Sequence, residues 1–424
     1  PVWFKRTLVG LGAALMVPGL LFTLMYCVIT LVSLFDDYAD DAVAGGVSGL
    51  ALTALTLGAG GVTFWHGLRS LKHKPSKSLR LPPIWTLVGV FGVCAALAGA
   101  VFTYDIAAGL LFPPLFLLAA ALPPLWAVAW FFGRDLQASG LTWRRGLTAM
   151  AGGATLGVFV AILLEILLPG IVLALVLDFA QSAARHVEDL MTALAGQNIA
   201  EALTNPTFLY AFAQLALIAP LAEEIAKPLV TLPLLKRLTR REAFWVGALA
   251  GVGFAALENV LYAGFGLPIW AGILVVRALG GAIHPLGAGL MALGWRDWLC
   301  GEPGAGRVWA KRFGLAAGMH ALWNGGSLIV LTLGGAKAFG ALPPDVEVLG
   351  FAAGGTVLAL LVTLGLAALW LGRATVNALG QPVEEAVGTA AIPALSDRAV
   401  AIWALACLVA IVPAGVAGLK LLFW

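Results

Sequence analysis

The chain has 424 residues, 61% of them apolar and only 11% charged, against about a quarter charged in an ordinary globular domain. That composition excludes a disordered chain, a coiled coil, a secreted disulfide scaffold and a water-soluble enzyme, and leaves an all-α polytopic membrane protein with the lipid bilayer as its surroundings. A formal net charge of +3 gives no case for a nucleic-acid partner, and Cys27, Cys94, Cys300 and Cys407 lie too far apart for a zinc knuckle or a disulfide framework.

A membrane-crossing helix needs about 20 apolar residues and must satisfy its own backbone. About 11 such stretches are predicted, at 7–34, 43–66, 82–103, 107–133, 147–178, 207–235, 242–264, 269–295, 313–334, 348–372 and 399–422. The first follows Lys5 and Arg6 and is too long for a signal-peptide core, so it is expected to be a retained anchor. With the N-terminus inside, 20 of the 25 Lys and Arg residues fall in cytoplasmic segments and 3 outside. Lys227 and Arg277 lie within spans. That alternation predicts an N-in/C-out arrangement. Between the fifth and sixth spans, Val187, Leu190, Met191, Leu194 and Ile199 recur at helical spacing, which predicts an external interfacial helix near 180–203. Three parts follow: an N-terminal extension of about four spans at 1–146, a core at 147–335 and a two-span segment at 336–424.

The informative residues are those that do not belong in lipid. Glu223, Glu224 and Lys227 fall on the sixth span and Glu258 with Asn259 on the seventh. Arg277 and His284 fall on the eighth, His320 and Asn324 on the ninth. Glu165 on the fifth is isolated. Each central charge costs roughly 3 kcal/mol on insertion scales, so five unpaired ions would cost about 15 kcal/mol. They must pair, ligate or face water. At about 1.5 Å per residue, Glu224, His284 and Asn324 reach a common depth of about 17 Å, with Glu223 and His320 nearby. Glu258 and Arg277 lie deeper and level with each other, which predicts that they are partners. Glu223 and Lys227 share a helix face, and Pro220 and Pro228 should each break the helix there.

Two histidines converging with carboxylates suit hydrolysis, with a buried carboxylate as general base and imidazole or amide donors for an oxyanion. Two His and one Glu also suit a Zn2+ ion, another Glu then taking the proton from water. No HExxH, GxSxG or GxGD is present. The same residues also fit a proton or ion relay in a secondary transporter, although spans one to five hold no second copy of the polar layer, as a repeat transporter would.

The run Glu223-Glu224-x-x-Lys227, then Phe254-x-x-x-Glu258-Asn259, then Arg277 leading to His284, then His320-x-x-x-Asn324 resembles the four-motif pattern of the PrsW family of intramembrane proteases. These are related to the type II CAAX prenyl endopeptidases and the Abi membrane proteins. The resemblance spans roughly residues 207–330. It implies hydrolysis of a peptide bond in a single-span or membrane-anchored protein, an anti-sigma factor by analogy, in a bacterial plasma membrane. It further implies Glu223, Glu224, His284, His320 and Asn324 as catalytic residues, with Lys227, Asn259 and Arg277 in support. A metal would be held by Glu258, His284 and His320; relatives are described both as metalloproteases and as metal-free glutamate proteases. Residues 1–146 have no counterpart in that core.

Overall fold

The computed structural model describes residues 2–32, 39–133, 141–174, 206–338 and 344–380, and among them the protein is all-helical with a single isolated bridge between Ser78 and Thr142. Helices α1 (Val2–Val32), α2 (Ala39–Thr53), α3 (Ala59–Leu71), α4 (Ile84–Tyr104) and α5 (Ala108–Phe132) form the N-terminal part. The core follows with α6 (Trp143–Gly152), α7 (Val158–Ala174), α8 (Pro206–Ala213), α9 (Ala219–Ala226) and α10 (Leu232–Leu235). It continues through α11 (Arg240–Phe265), α12 (Trp270–Leu279), α13 (Ile283–Leu299) and α14 (Ala305–Ala338), and α15 (Pro344–Ala378) closes the described chain. Wide π-helical turns at Ala54–Gly58, Gly153–Gly157 and Gln214–Ile218 join α2 to α3, α6 to α7 and α8 to α9.

Among the described residues, seven helical stretches are long and apolar enough to cross a membrane: Lys5–Val32, Ala42–Leu71, Ile84–Tyr104, Ala108–Phe132, Trp143–Leu167, Arg240–Phe265 and Gly354–Ala378. They coincide with seven of the predicted spans. The expected eighth span is two helices, α12 and α13, bent by 41° at the break between Leu279 and Ile283. The sixth stretch is cut into α8, α9 and α10. Lys227 still donates its backbone N–H to Glu223, but Pro228 has none to offer and a short 3-10 turn at Leu229–Thr231 follows. This segment and α14 fall outside the set of seven. The site residues that they carry (Glu223, Glu224 and Lys227 in one, His320 and Asn324 in the other) lower their apolar content. The expected interfacial helix near 180–203 and the expected span at 399–422 lie outside the described residues.

α11 is the axis of the molecule. In its membrane-length window 83% of the residues are buried, against 11% in α1. Thr239 and Glu242 cap its start reciprocally. Its most extensive neighbour is α13, with α5 and α6 on other sides. Glycines permit that approach. A side chain at Gly253 would collide with the Met150 backbone of α6, and one at Gly251 with the His284 carbonyl of α13. Such contact brings His284 within reach of α11. At one end of the bundle the buried Asp297 gathers Arg240 (3.1 Å), Arg296 (3.3 Å) and Arg312 (2.8 Å), tying α11, α13 and α14 together.

Candidate active site

The broken α8–α10 segment, α11, the bent pair α12–α13 and α14 bring all seven ionisable residues of the sequence motifs to one buried cluster. Glu223, Glu224, Lys227, Glu258, Arg277, His284 and His320 are each at most 8% exposed. Isolated charges in such surroundings would be prohibitive, and here they are paired. Lys227 Nζ lies 2.6 Å from Glu224 Oε1 and 3.1 Å from Glu223 Oε2, and rests 4.8 Å from the centre of the Phe254 ring. Arg277 Nη2 lies 2.9 Å from Glu258 Oε2, the partnership expected from their common depth.

Both imidazoles are held in the same way. The outer nitrogen of each stands between a cation that can only donate and a carboxylate that can only accept. His284 Nε2 lies 3.2 Å from Arg277 Nη2 and 3.1 Å from Glu258 Oε2. His320 Nδ1 lies 3.4 Å from Lys227 Nζ and 3.0 Å from Glu224 Oε1. Either tautomer of either ring therefore finds a neighbour of the right polarity. The inner nitrogens face one another across Glu223: His284 Nδ1 is 4.0 Å and His320 Nε2 is 3.7 Å from Glu223 Oε2. The two rings are 4.6 Å apart, edge to face.

Among the described residues these three inward atoms find no hydrogen-bond partner, the Lys227 ammonium being an ion-pair neighbour of Glu223 Oε2. Glu224 Oε2 and both oxygens of Glu258 are likewise without one. Unsatisfied polar atoms gathered in this way suit the binding of water or an ion. One ligand atom each from Glu223, His284 and His320 lie within 4.8 Å of one another, as a metal site requires. Glu258, the carboxylate expected to complete that set, approaches the outer nitrogen of His284 instead.

Two asparagines support the cluster by a shared device. Pro124 on α5 lacks the N–H that the Ala120 carbonyl would otherwise accept, and Asn259 Nδ2 takes that carbonyl at 2.8 Å. Asn259 Oδ1 in turn accepts from Arg277 Nε at 2.6 Å. In the π turn before α9, the Ala219 N–H goes to Gln214 and the next residue is Pro220. The Leu215 carbonyl is thereby left to Asn324 Nδ2, at 3.0 Å. The amide nitrogen of Asn324 is thus committed to backbone, one turn beyond His320. Gly287 on α13 faces Glu224 so closely that a Cβ there would strike Oε2. The sequence holds the signals for these supports in Pro124, Pro220 and Gly287, yet which carbonyl meets which amide depends on packing between distant segments. Glu165 sits half-buried on α7, beside α9, and its backbone carbonyl accepts from Gln214 Nε2 at 3.2 Å.

A family profile described as PrsW family intramembrane metalloprotease matches residues 142–353. The chain belongs to that family. No curated protein and no solved structure matches it. Membership makes the chain a protease, hence a hydrolase, and its many apolar helices make it a multi-pass membrane protein. It favours the hydrolytic reading of the buried cluster over the transporter. The matched PrsW region runs from the edge of α6 into α15 and contains every residue of the cluster, while α1–α5 lie outside it.

Proposed function

We propose that this PrsW-family chain hydrolyses a peptide bond of a single-span or membrane-anchored protein within the bilayer, at the Glu223–His284–His320 cluster. The observation that carries the reading is the convergence of three buried polar atoms, one from each residue, none with a hydrogen bond. A carboxylate and two imidazoles are the donor set of a catalytic zinc site that keeps a position open, so Zn2+ is the proposed ion, with Glu223 in place of Glu258 as third ligand. When bound, such an ion supplies a Lewis acid that polarises a carbonyl oxygen.

The rest falls to the chain's own residues. Glu224 accepts from the outer nitrogen of His320, and Glu258 stands 3.1 Å from the outer nitrogen of His284 as its charge partner, which turns both inner lone pairs toward Glu223. Carboxylates behind ligating histidines fix tautomer and ring orientation in this way. Glu224 is enclosed by Lys227, His320 and Gly287 and acts by positioning. Glu258, paired with Arg277 at 2.9 Å behind His284, acts in the same way. The flanking Lys227 and Arg277 favour a second form without metal. There the outer nitrogens accept, the inner N–H groups donate to the carbonyl oxygen of the substrate, and Glu223 takes the proton of water. Asn324 lies at the rim on the substrate side.

Eleven crossings, N-in/C-out, best accommodate the charge distribution, with the 206–235 segment, the α12–α13 pair and α14 counted as spans, and a bacterial plasma membrane is the location that the family resemblance supports. The core of 147–335 then carries the chemistry, flanked by the 1–146 extension and the 336–424 segment. An anti-sigma factor is the substrate class that the family resemblance supports.

The test is cleavage of a single-span substrate in proteoliposomes, with metal content measured on the same preparations. Wild type is expected to hold about one zinc per chain. Glu223→Gln, His284→Ala and His320→Ala should lose the metal and at least about a hundredfold in rate. Undiminished cleavage by all three would remove the reaction from this cluster. Cleavage by metal-free wild type would select the second form.

A further inference from the structure

One turn away from the cluster the structure holds a cavity of about 90 Å³. Its walls are aliphatic: Leu215 from the π turn before α9, Ile273 and Val276 from α12, and Leu328 from α14. Its polar edge is made by Tyr262, Arg277 and Asn324. Each of those three is tied to the cluster. Tyr262 is one turn from Glu258 and Asn324 one turn from His320, and Arg277 touches both Glu258 and His284. Ser327 adds a buried hydroxyl that has no hydrogen-bond partner among the described residues at the same wall. On the elements that form the cavity, Leu217, Val275 and Leu322 are exposed by more than half. Those elements therefore present aliphatic side chains to their surroundings, as lipid-facing helices do.

We infer that this cavity receives one aliphatic side chain of the substrate, next to the bond that is cut. The inference rests on the endopeptidase reading and adds to it a selectivity. Size decides the class of occupant. An enclosed cavity of roughly 150 Å³ accepts a benzene ring, so a half-open recess of about 90 Å³ favours a side chain of Ala, Val or Leu size over Phe and Trp. Charge is refused as well, since four of the lining side chains are hydrocarbon and the guanidinium at the edge is already paired. With the side chain seated, the substrate backbone passes Ser327 and Asn324, where the free hydroxyl and the amide oxygen can bond it. A transmembrane helix must unwind locally to present a bond for hydrolysis, and such bonds replace some of those it gives up.

The full chain is reconstituted with a pool of single-span model peptides randomised across the span, and the residues flanking each cut are read by mass spectrometry. Wild type should show one position rich in Ala, Val and Leu and depleted in Phe and Trp at least tenfold. Leu328→Ala enlarges the cavity and should admit Phe there. Val276→Phe fills it and should shift the same position toward Gly and Ala. Frequencies within one preparation do not depend on how much of a variant is folded. Cuts with the same profile in wild type and both variants overturn the cavity and leave the protease reading standing. A pool left uncut by wild type, with the protein folded, overturns the protease reading and the cavity with it.

Discussion

The N-terminal helices α1–α5 and the segment from α8 to α14 are both helical and apolar, but they differ in the polar side chains they bury. Among the described residues, α1–α5 bury a single polar side chain, Thr30, in a core built from residues such as Phe112, Phe116 and Val101. The other twelve buried polar residues all fall between Glu223 and Asn324. The first region follows the ordinary rule for a bilayer, in which helices associate by close packing because lipid is as apolar as their side chains. In the second, ion pairs and amide–carbonyl bonds are added to an apolar core that includes Phe244, Leu249 and Leu286. α11 belongs to both, since one stretch meets α5 through Val260 and Ala263 while Glu258 and Asn259 serve the cluster.

Removing one member from each region should break them differently. Lys227→Met leaves Glu223 and Glu224 buried without their common counter-ion and should cost about 3–5 kcal/mol of stability in detergent, with loss of cleavage. Adding Glu224→Gln should recover part of the stability. Phe112→Ala leaves a hole in the N-terminal core. Because the unfolded reference is itself in lipid, mainly the cavity cost remains, up to about 3 kcal/mol, and cleavage per folded molecule should persist. Thermal unfolding and rate are read on the same samples. Equal loss of rate per folded molecule in both variants would erase the distinction between the regions.

A smaller effect probes how tightly the polar region is fitted. Gly287→Ala introduces a methyl against the Glu224 carboxylate, which has Lys227 and His320 on its other side and little room to retreat. Overpacking of this kind costs about 1–3 kcal/mol. It should lower cleavage by moving His320, whereas Gly272→Ala on α12, where a methyl would meet nothing, should change neither stability nor rate.

Much of this second region was legible in the sequence, because a charge in lipid is costly enough to need a reason. Counting depth along the spans put Glu223, Glu224, His284 and His320 in one layer and matched Glu258 to Arg277, and the coordinates place those residues together. Depth fixes height along the membrane normal but not rotation about each helix. The depths already set Glu223 level with His284 and Glu258 deeper, but which nitrogen of the ring each carboxylate approaches depends on that rotation. The helix breaks at Pro220 and Pro228 were foreseeable from the missing N–H groups. The bend between α12 and α13 was not, since 269–295 reads as one apolar run. The part played by α5 was also hidden, because it depends on a backbone carbonyl, and carbonyls have no letter in a sequence.

That carbonyl gives the finest test of where one region ends and the other begins. Asn259 holds Arg277 from one side and the Ala120 carbonyl of α5 from the other, and it reaches that carbonyl because Pro124 cannot. Pro124→Ala restores an N–H to α5 at the position from which a regular helix would bond Ala120. The asparagine then competes with the helix for one acceptor, a difference of about 1 kcal/mol. If α5 is only a neighbour, the substitution should be neutral or slightly stabilising, since it removes a proline from a helix interior. If α5 takes part in orienting the cluster, cleavage should fall several-fold without loss of stability. The double variant Pro124→Ala with Asn259→Ala should then be no worse than Asn259→Ala alone, because both act through one hydrogen bond. Additive losses would place α5 outside the machinery and return the N-terminal helices to a purely structural role.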